Sequence, residues 1–168
     1  MADVSVRPAG ADDVAELARI QVETWRAAYQ GVLPAAVLDS LSVDAAESAW
    51  LAAVRAAAPQ HHVLVALEQS WRVGFAALAP DEAPGTVVLG PILVEPRWGR
   101  RGHGSRLLSA AIDHARGDGM TTAYAWIPEA DEATKDFLAS AGWEPDGTVR
   151  GLDTGAGELR EIRLHVAL

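Results

Sequence analysis

Between an apolar stretch ending at Val94 and an amphipathic one beginning at Ser105, the chain runs Glu95-Pro96-Arg97-Trp98-Gly99-Arg100-Arg101-Gly102-His103-Gly104. This is the pattern of a strand, a tight glycine-rich loop and a helix start. Gly102 and Gly104, one residue apart, let the backbone turn sharply and come close to a ligand, so that several N–H groups ahead of the helix point at one anion. Arg97, Arg100, Arg101 and Arg106 concentrate four of the chain's 14 basic residues here, on a protein of formal net charge −9. A local cationic patch on an acidic chain implies an anionic ligand at this place. The template G-x-x-x-x-G-K-[ST] nearly fits from Gly99 to Ser105, but the lysine that reaches terminal phosphates is missing, which argues against a nucleotide triphosphatase. The dinucleotide template G-x-G-x-x-G fails as well, because Ser105-Arg106-Leu107 follows and no acidic residue closes a following strand at the required distance.

Period and punctuation place the remaining elements. Val4 to Arg7 reads as a first strand. Asp12 to Tyr29 reads as a helix with Asp12 or Asp13 as its cap, and Pro34 to Leu41 and Val43 to Ala58 as a short and a longer helix. His62 to Leu67, Arg72 to Leu78 and Thr86 to Val94 read as strands, the first two joined near Gln69-Ser70. Ser105 to Arg116 is a helix leaving through Gly117-Asp118-Gly119. Thr121 to Ile127 is a strand and Asp131 to Ser140 a helix. Ala141 to Gly147 is a turn, Gly151 to Gly157 a hairpin loop, and Leu159 to Leu168 a half-buried final strand with Leu159, Glu161, Arg163 and His165 on one side.

The remaining loop pattern, V-x-P-x-x-x-x-x-G-x-G followed by Leu107-Leu108, resembles the acetyl-coenzyme A loop of the GNAT superfamily of N-acetyltransferases. Gly142-Trp143 and Gly147 resemble the turn that ends that family's last helix, and the element order matches the family's over most of the chain. The resemblance implies an α/β fold: a mixed, mostly antiparallel sheet with helices on both faces and a cofactor cleft where two strands splay. It implies acetyl-coenzyme A as co-substrate, its pyrophosphate on the backbone from Arg100 through Ser105, including Gly102, His103 and Gly104. The pantetheine arm is expected on the strand edge at Leu93 and Val94, with Asp131 and Phe137 contributing from the last helix. Gly99 stands where the family usually has Arg or Gln, and Arg100 where it usually has Gly; Arg101 or Arg97 is expected to supply the lost charge. His103 is expected to face solvent or the adenosine end. Gly90-Pro91, inside the strand before the loop, fits either a bulge or an edge position.

At 168 residues and 49% hydrophobic, the chain is sized for one core, and a single domain over 1–168 is expected. No run approaches 18 apolar residues and no leader precedes Asp3, so a cytoplasmic protein without a membrane partner is expected. The absence of cysteine removes disulfides, thiolate metal sites and a covalent acetyl-cysteine at once, so transfer must be direct. His61-His62 has no third ligand at metal spacing, and no metal is expected. A pI near 4.9 argues against nucleic acid and mildly favours a cationic amine acceptor, whether small molecule or peptide. A homodimer is also compatible with the sequence.

Thioester aminolysis needs an acid for the leaving thiolate and a base for the amine. In the resembling family a tyrosine near the end of the last helix is the acid; the matching position is Leu138, which is expected to wall the site beside the sulfur. Solvent then protonates the thiolate, whose pKa is about 8.5, unless Tyr124 or Tyr29 reaches in. Trp25-Arg26-x-x-Tyr29-x-Gly31-x-x-Pro34 resembles a first-helix segment bordering the acceptor groove in a subgroup of these enzymes. The strand position commonly holding the base carries Trp126, leaving Glu129 and Asp131 as the nearest acids. Loss of both side chains motivates an alternative, a non-catalytic acyl-coenzyme A sensor or scaffold. A third reading, an unrelated phosphate-binding domain, requires the element order around residue 100 to be coincidence.

Overall fold

The computed structural model describes residues 3–168; Met1 and Ala2, where no leader is expected, lie outside the described residues. Strand β1 (Val4–Pro8) leads through a short 3₁₀ turn (Ala11–Asp13) into α1 (Val14–Ala28), followed by α2 (Ala35–Ser40) and α3 (Val43–Ala56). Then come β2 (His62–Glu68), β3 (Trp71–Pro80), β4 (Thr86–Val94), α4 (His103–Gly117), β5 (Thr122–Pro128), α5 (Glu132–Ser140), β6 (Glu144–Asp153) and β7 (Glu158–Ala167). The seven strands form one sheet in the order β1-β2-β3-β4-β5-β7-β6. Every neighbour pair is antiparallel except β4 with β5.

Strand alternation divides the core between the two sheet faces. On one face Leu107, Leu108 and Ala111 of α4 pack with Leu64, Val73, Ala123, Ala125, Leu138 and Trp143. On the other, Leu17 and Ile20 of α1 meet Val65 and Phe75, with Trp50 of α3 edge-on to Phe75 at 5.2 Å. Among the described residues no helix is long and apolar enough to cross a membrane.

Three local expectations change. Asp13 occupies the N-cap position of α1 but its side chain does not cap the helix: the carboxylate is buried and accepts from Arg7, Arg72 and the Gly10 N–H. Burial pushes its pKa up, but these hydrogen bonds outweigh that and hold it well below the usual carboxylate range. The strand expected before the hairpin loop is longer than the sequence suggests: β6 runs from Glu144 to Asp153 and takes in part of the expected turn and the first residues of the expected loop. Its pairing with β7 shifts register between Pro145 and Val149; an outer strand tolerates a proline and a bulge because one of its edges pairs with nothing. Helix α4 starts at His103, two residues before the first regularly spaced leucines suggest.

The feature that positions the site is the junction of β4 and β5. They pair only over Thr86–Val88 with Thr122–Tyr124. Beyond that point β5 continues along β7 to Pro128 and β4 along β3 to Val94. Register between β3 and β4 slips where Leu78↔Leu89 gives way to Ala76↔Ile92, so Gly90-Pro91 forms the extra length of a bulge. The same residues lie past the last β4–β5 pair. Bulge and open edge, alternatives in the sequence, occur together.

Candidate active site

The glycine loop ends at the N-terminus of α4. Gly102 has φ of 83° in the left-handed region, and no side chain caps the helix. The first helical bond from this turn is Arg106 N–H to Gly102 O at 3.0 Å, which leaves the N–H groups of His103, Gly104 and Ser105 without an intrahelical acceptor. They border a groove of about 690 Å³ whose other walls include Ile92, Val94, Trp98, Thr134 and Phe137. The Trp98 Nε1 is buried with no hydrogen-bond partner among the described residues. Gly104 lies within the helix; a Cβ there would meet the Phe137 ring at 3.4 Å and Val94 Cγ2 at 3.8 Å. Its small size keeps the groove open, whereas Gly102 is required by its φ.

The arginines divide. Arg100 lines the groove. Arg97 pairs with Glu95 at 2.8 Å and lies against Trp71 and Trp98. Arg101 pairs with Glu68 at 3.0 Å and covers Trp98 at 5.0 Å. The two side chains expected to replace the missing loop charge are thus occupied by carboxylates outside the groove lining. His103 does not face solvent: its side chain is 1% exposed, with Nε2 2.8 Å from Glu68 Oε2. Glu68 of β2 therefore holds both residues that flank Gly102.

Where β4 and β5 diverge, a second cavity of about 440 Å³ opens, walled by Trp25, Tyr29, Leu33, Leu93, Trp126 and Leu159. It shares Ile92 and Thr134 with the loop groove, so the two form one continuous cleft. Trp25 and Tyr29, one helical turn apart, stand in its wall with ring centroids 6.4 Å apart.

The candidate acid and base residues fall in different places. The Tyr29 hydroxyl donates to Asp131 Oδ2 at 3.1 Å. Burial first, then the charges of Asp131 and Glu161, raise its pKa above the ordinary phenol value, so it stays protonated. Asp131 caps α5 through the Thr134 N–H and also accepts from the Thr134 hydroxyl at 2.8 Å; its carboxylate is turned to Tyr29 and Thr134, while Phe137 lines the groove. Tyr124 lines neither cavity. It sits beneath Arg163 at 5.0 Å, and burial and Asp81 raise its pKa against the opposing pull of Arg163. Glu129 pairs with Arg160 at 2.9 Å on the surface. Leu138 is 0% exposed and belongs to the α4-side core, so it does not wall the site as expected. The i, i+3 pair Thr134 and Phe137 does, because that is the face α5 turns to the cleft.

One candidate side chain escaped the sequence reading. Glu161 of β7 lines the second cavity, and Arg150 Nε and Nη2 both contact its Oε1 at 2.8 Å. The Arg150 guanidinium lies over Trp126 at 4.2 Å. Alternation puts Glu161 on the polar side of β7, but that side is the cavity at this position, since β7 runs between β5 and β6. Among the described residues no group of three or more His, Cys, Asp or Glu is arranged to hold a metal.

Comparison with known proteins identifies the family and the fold. Residues 16–143 match the model of the acetyltransferase (GNAT) family. The chain is 28% identical over 131 residues to the uncharacterized N-acetyltransferase YuaI of Bacillus subtilis (strain 168), covering 75% of this chain and 72% of that protein. Its fold is similar to the PaiA N-acetyltransferase of Thermoplasma acidophilum, solved in complex with coenzyme A, with a TM-score of 0.84 at 15% identity and 99% of each chain covered. It is also similar to YncA of Salmonella typhimurium, a putative acetyltransferase solved with acetyl-CoA, with a TM-score of 0.71 at 22% identity over 98% of this chain and 93% of that one.

Proposed function

Because the chain belongs to the acetyltransferase (GNAT) family, we propose that it transfers an acetyl group from acetyl-coenzyme A directly to a primary amine. The observation that carries this reading is the confluence of the two cavities at Ile92 and Thr134: one ends in uncapped helix N–H groups, the other in a carboxylate among aromatic rings. Acetyl-coenzyme A supplies the thioester when bound. The residues that would hold its pyrophosphate are the backbone groups of Gly102, His103, Gly104 and Ser105 with Arg100 alongside, where the partial positive charge of the α4 N-terminus favours an anion. Gly104 and Phe137 bound the space beyond them.

Glu161 is the base in this reading. Its Oε1 is occupied by Arg150 while Oε2 has no hydrogen-bond partner among the described residues, so a lone pair is open to an amine proton directly or through water. The amine nitrogen bonds to the acetyl carbon as the C–S bond breaks, and the leaving sulfur takes its proton from solvent. Tyr29 is poorly suited to donate that proton, because its raised pKa makes transfer to the thiolate of a thiol of ordinary acidity uphill. Its hydroxyl instead holds the carboxylate of Asp131, which caps α5. Glu161 supplies the carboxylate that Trp126 does not, which removes half the motive for a non-catalytic sensor; solvent protonation answers the other half.

Release of coenzyme A thiol in the presence of an amine panel, with product masses, tests the reading. Glu161→Gln is expected to lower kcat by about 10²- to 10⁴-fold while preserving thermal stabilisation by acetyl-coenzyme A. Full activity in that variant would remove Glu161 from the mechanism, and binding without acceptor-dependent thiol from any amine would favour a sensor.

A further inference from the structure

The charges inside the acceptor cavity are balanced, and their geometry is specific. Among the residues lining it, Glu161 is the one carboxylate and Arg150 the one guanidinium, and they pair with each other. Both contacts of the pair fall on Oε1. The second carboxylate oxygen, and the Nη1 on the guanidinium's opposite edge, have no hydrogen-bond partner among the described residues. The Glu161 side chain is 10% exposed and that of Arg150 41%, so the acceptor group lies deep and the donor nearer the mouth. Around them Trp25, Trp126, Leu33 and Leu159 offer apolar surface.

Resting on the acetyltransferase reading, we propose that the acceptor is a free α-amino acid with an aromatic or bulky apolar side chain, its ammonium group on Glu161 Oε2, its carboxylate on Arg150 Nη1 and its side chain between the tryptophans. Adjacent opposite charges on the ligand match adjacent opposite charges in the cavity, so each desolvated group regains a charge-assisted partner. A polyamine brings two or more cations to a cavity whose single carboxylate is already neutralised. A lysine side chain or a peptide N-terminus brings an amine with no carboxylate beside it, which leaves Arg150 Nη1 unmatched. The reaction is the amide formation described above: the ammonium group gives one proton to solvent and a second to Glu161, the N–C bond forms as the C–S bond breaks, and the thiolate takes a proton from solvent.

The experiment pairs L-phenylalanine, L-tryptophan, L-leucine and L-methionine with their decarboxylated amines, and adds spermidine and a lysine-containing peptide. Acetyl-coenzyme A is the donor, and thiol release and product mass are the readouts. At least one amino acid is expected to exceed its own decarboxylated amine in kcat/KM on the order of 10- to 100-fold, the range a hydrogen bond between charged groups supplies. Arg150→Met is expected to collapse that ratio, and Arg150→Lys to restore part of it; the wild-type comparison stands even if a variant folds poorly. Turnover of amines with no advantage from the carboxylate, or preference for spermidine or the peptide, overturns the proposal and leaves the acetyltransferase reading in place. Binding of acetyl-coenzyme A without thiol release by any acceptor overturns both.

Discussion

Gly102 and Gly104 look equivalent in sequence, and the structure assigns them opposite responses to the same methyl group. At Gly102, φ of 83° makes alanine cost about 1–2 kcal/mol for a left-handed conformation, which lowers Tm by about 2–8 °C at roughly 2–4 °C per kcal/mol for a chain of this length. At Gly104 the backbone is helical, and the new Cβ meets Phe137 at 3.4 Å and Val94 at 3.8 Å, the near limit of ordinary contact. Alanine there should gain up to about 1 kcal/mol from lower chain entropy in the unfolded state, raising the Tm of the free protein by about 2–4 °C. That methyl nonetheless projects into the groove. With acetyl-coenzyme A at a hundredfold excess over Kd, binding stabilises the wild type by about 2.7 kcal/mol, and each tenfold loss of affinity removes about 1.4 kcal/mol of it. The assay is a thermal melt of each variant with and without acetyl-coenzyme A. Gly104→Ala should melt higher than wild type alone and gain less on ligand addition; Gly102→Ala should melt lower alone. An undiminished ligand shift in Gly104→Ala would refute the groove as the cofactor site, and an unchanged Tm in Gly102→Ala would refute the positive-φ requirement.

With no cleft side chain suited to protonate the thiolate, kcat/KM should rise with pH through the amine and its base and then hold level; an alkaline fall that disappears in Tyr29→Phe would restore a tyrosine acid. Asp13 has a folded pKa below its unfolded value, so the stability it contributes is present above the ordinary carboxylate pKa near 4 and is lost as pH falls below it. Melting temperature measured from pH 5 to 3 should therefore drop more steeply in wild type than in Asp13→Asn, and equal slopes would contradict the ion-paired assignment. Leu138→Tyr should destabilise by about 1–3 kcal/mol through overpacking and leave the turnover of the folded fraction unchanged, as checked by urea denaturation and active-fraction kinetics; a faster enzyme would mean that position 138 reaches the cleft.

The order of elements and the strand, glycine-rich loop and helix start around residue 100 were legible because they depend on local pattern. The bounds of β4 agree with those expected at both ends, and α1, α3 and α5 within one or two residues, since apolar period, glycine and cap residues act over a few positions. Direction across the sheet is different. Leu138 and Phe137 are neighbours in sequence, yet one is wholly buried and the other faces the groove, which only the docking of α5 decides. The arginines of the loop signalled an anion, but Glu95 and Glu68, Glu68 lying more than thirty residues from Arg101, determine which of them are free to meet one. Glu161 was legible as one polar residue in an alternating strand, and nothing local distinguishes a polar face on solvent from one on a cavity. The divergence of β4 from β5 after Val88 makes that cavity, and it arises from the competition of long-range pairings, a property of the assembled sheet and of no single segment.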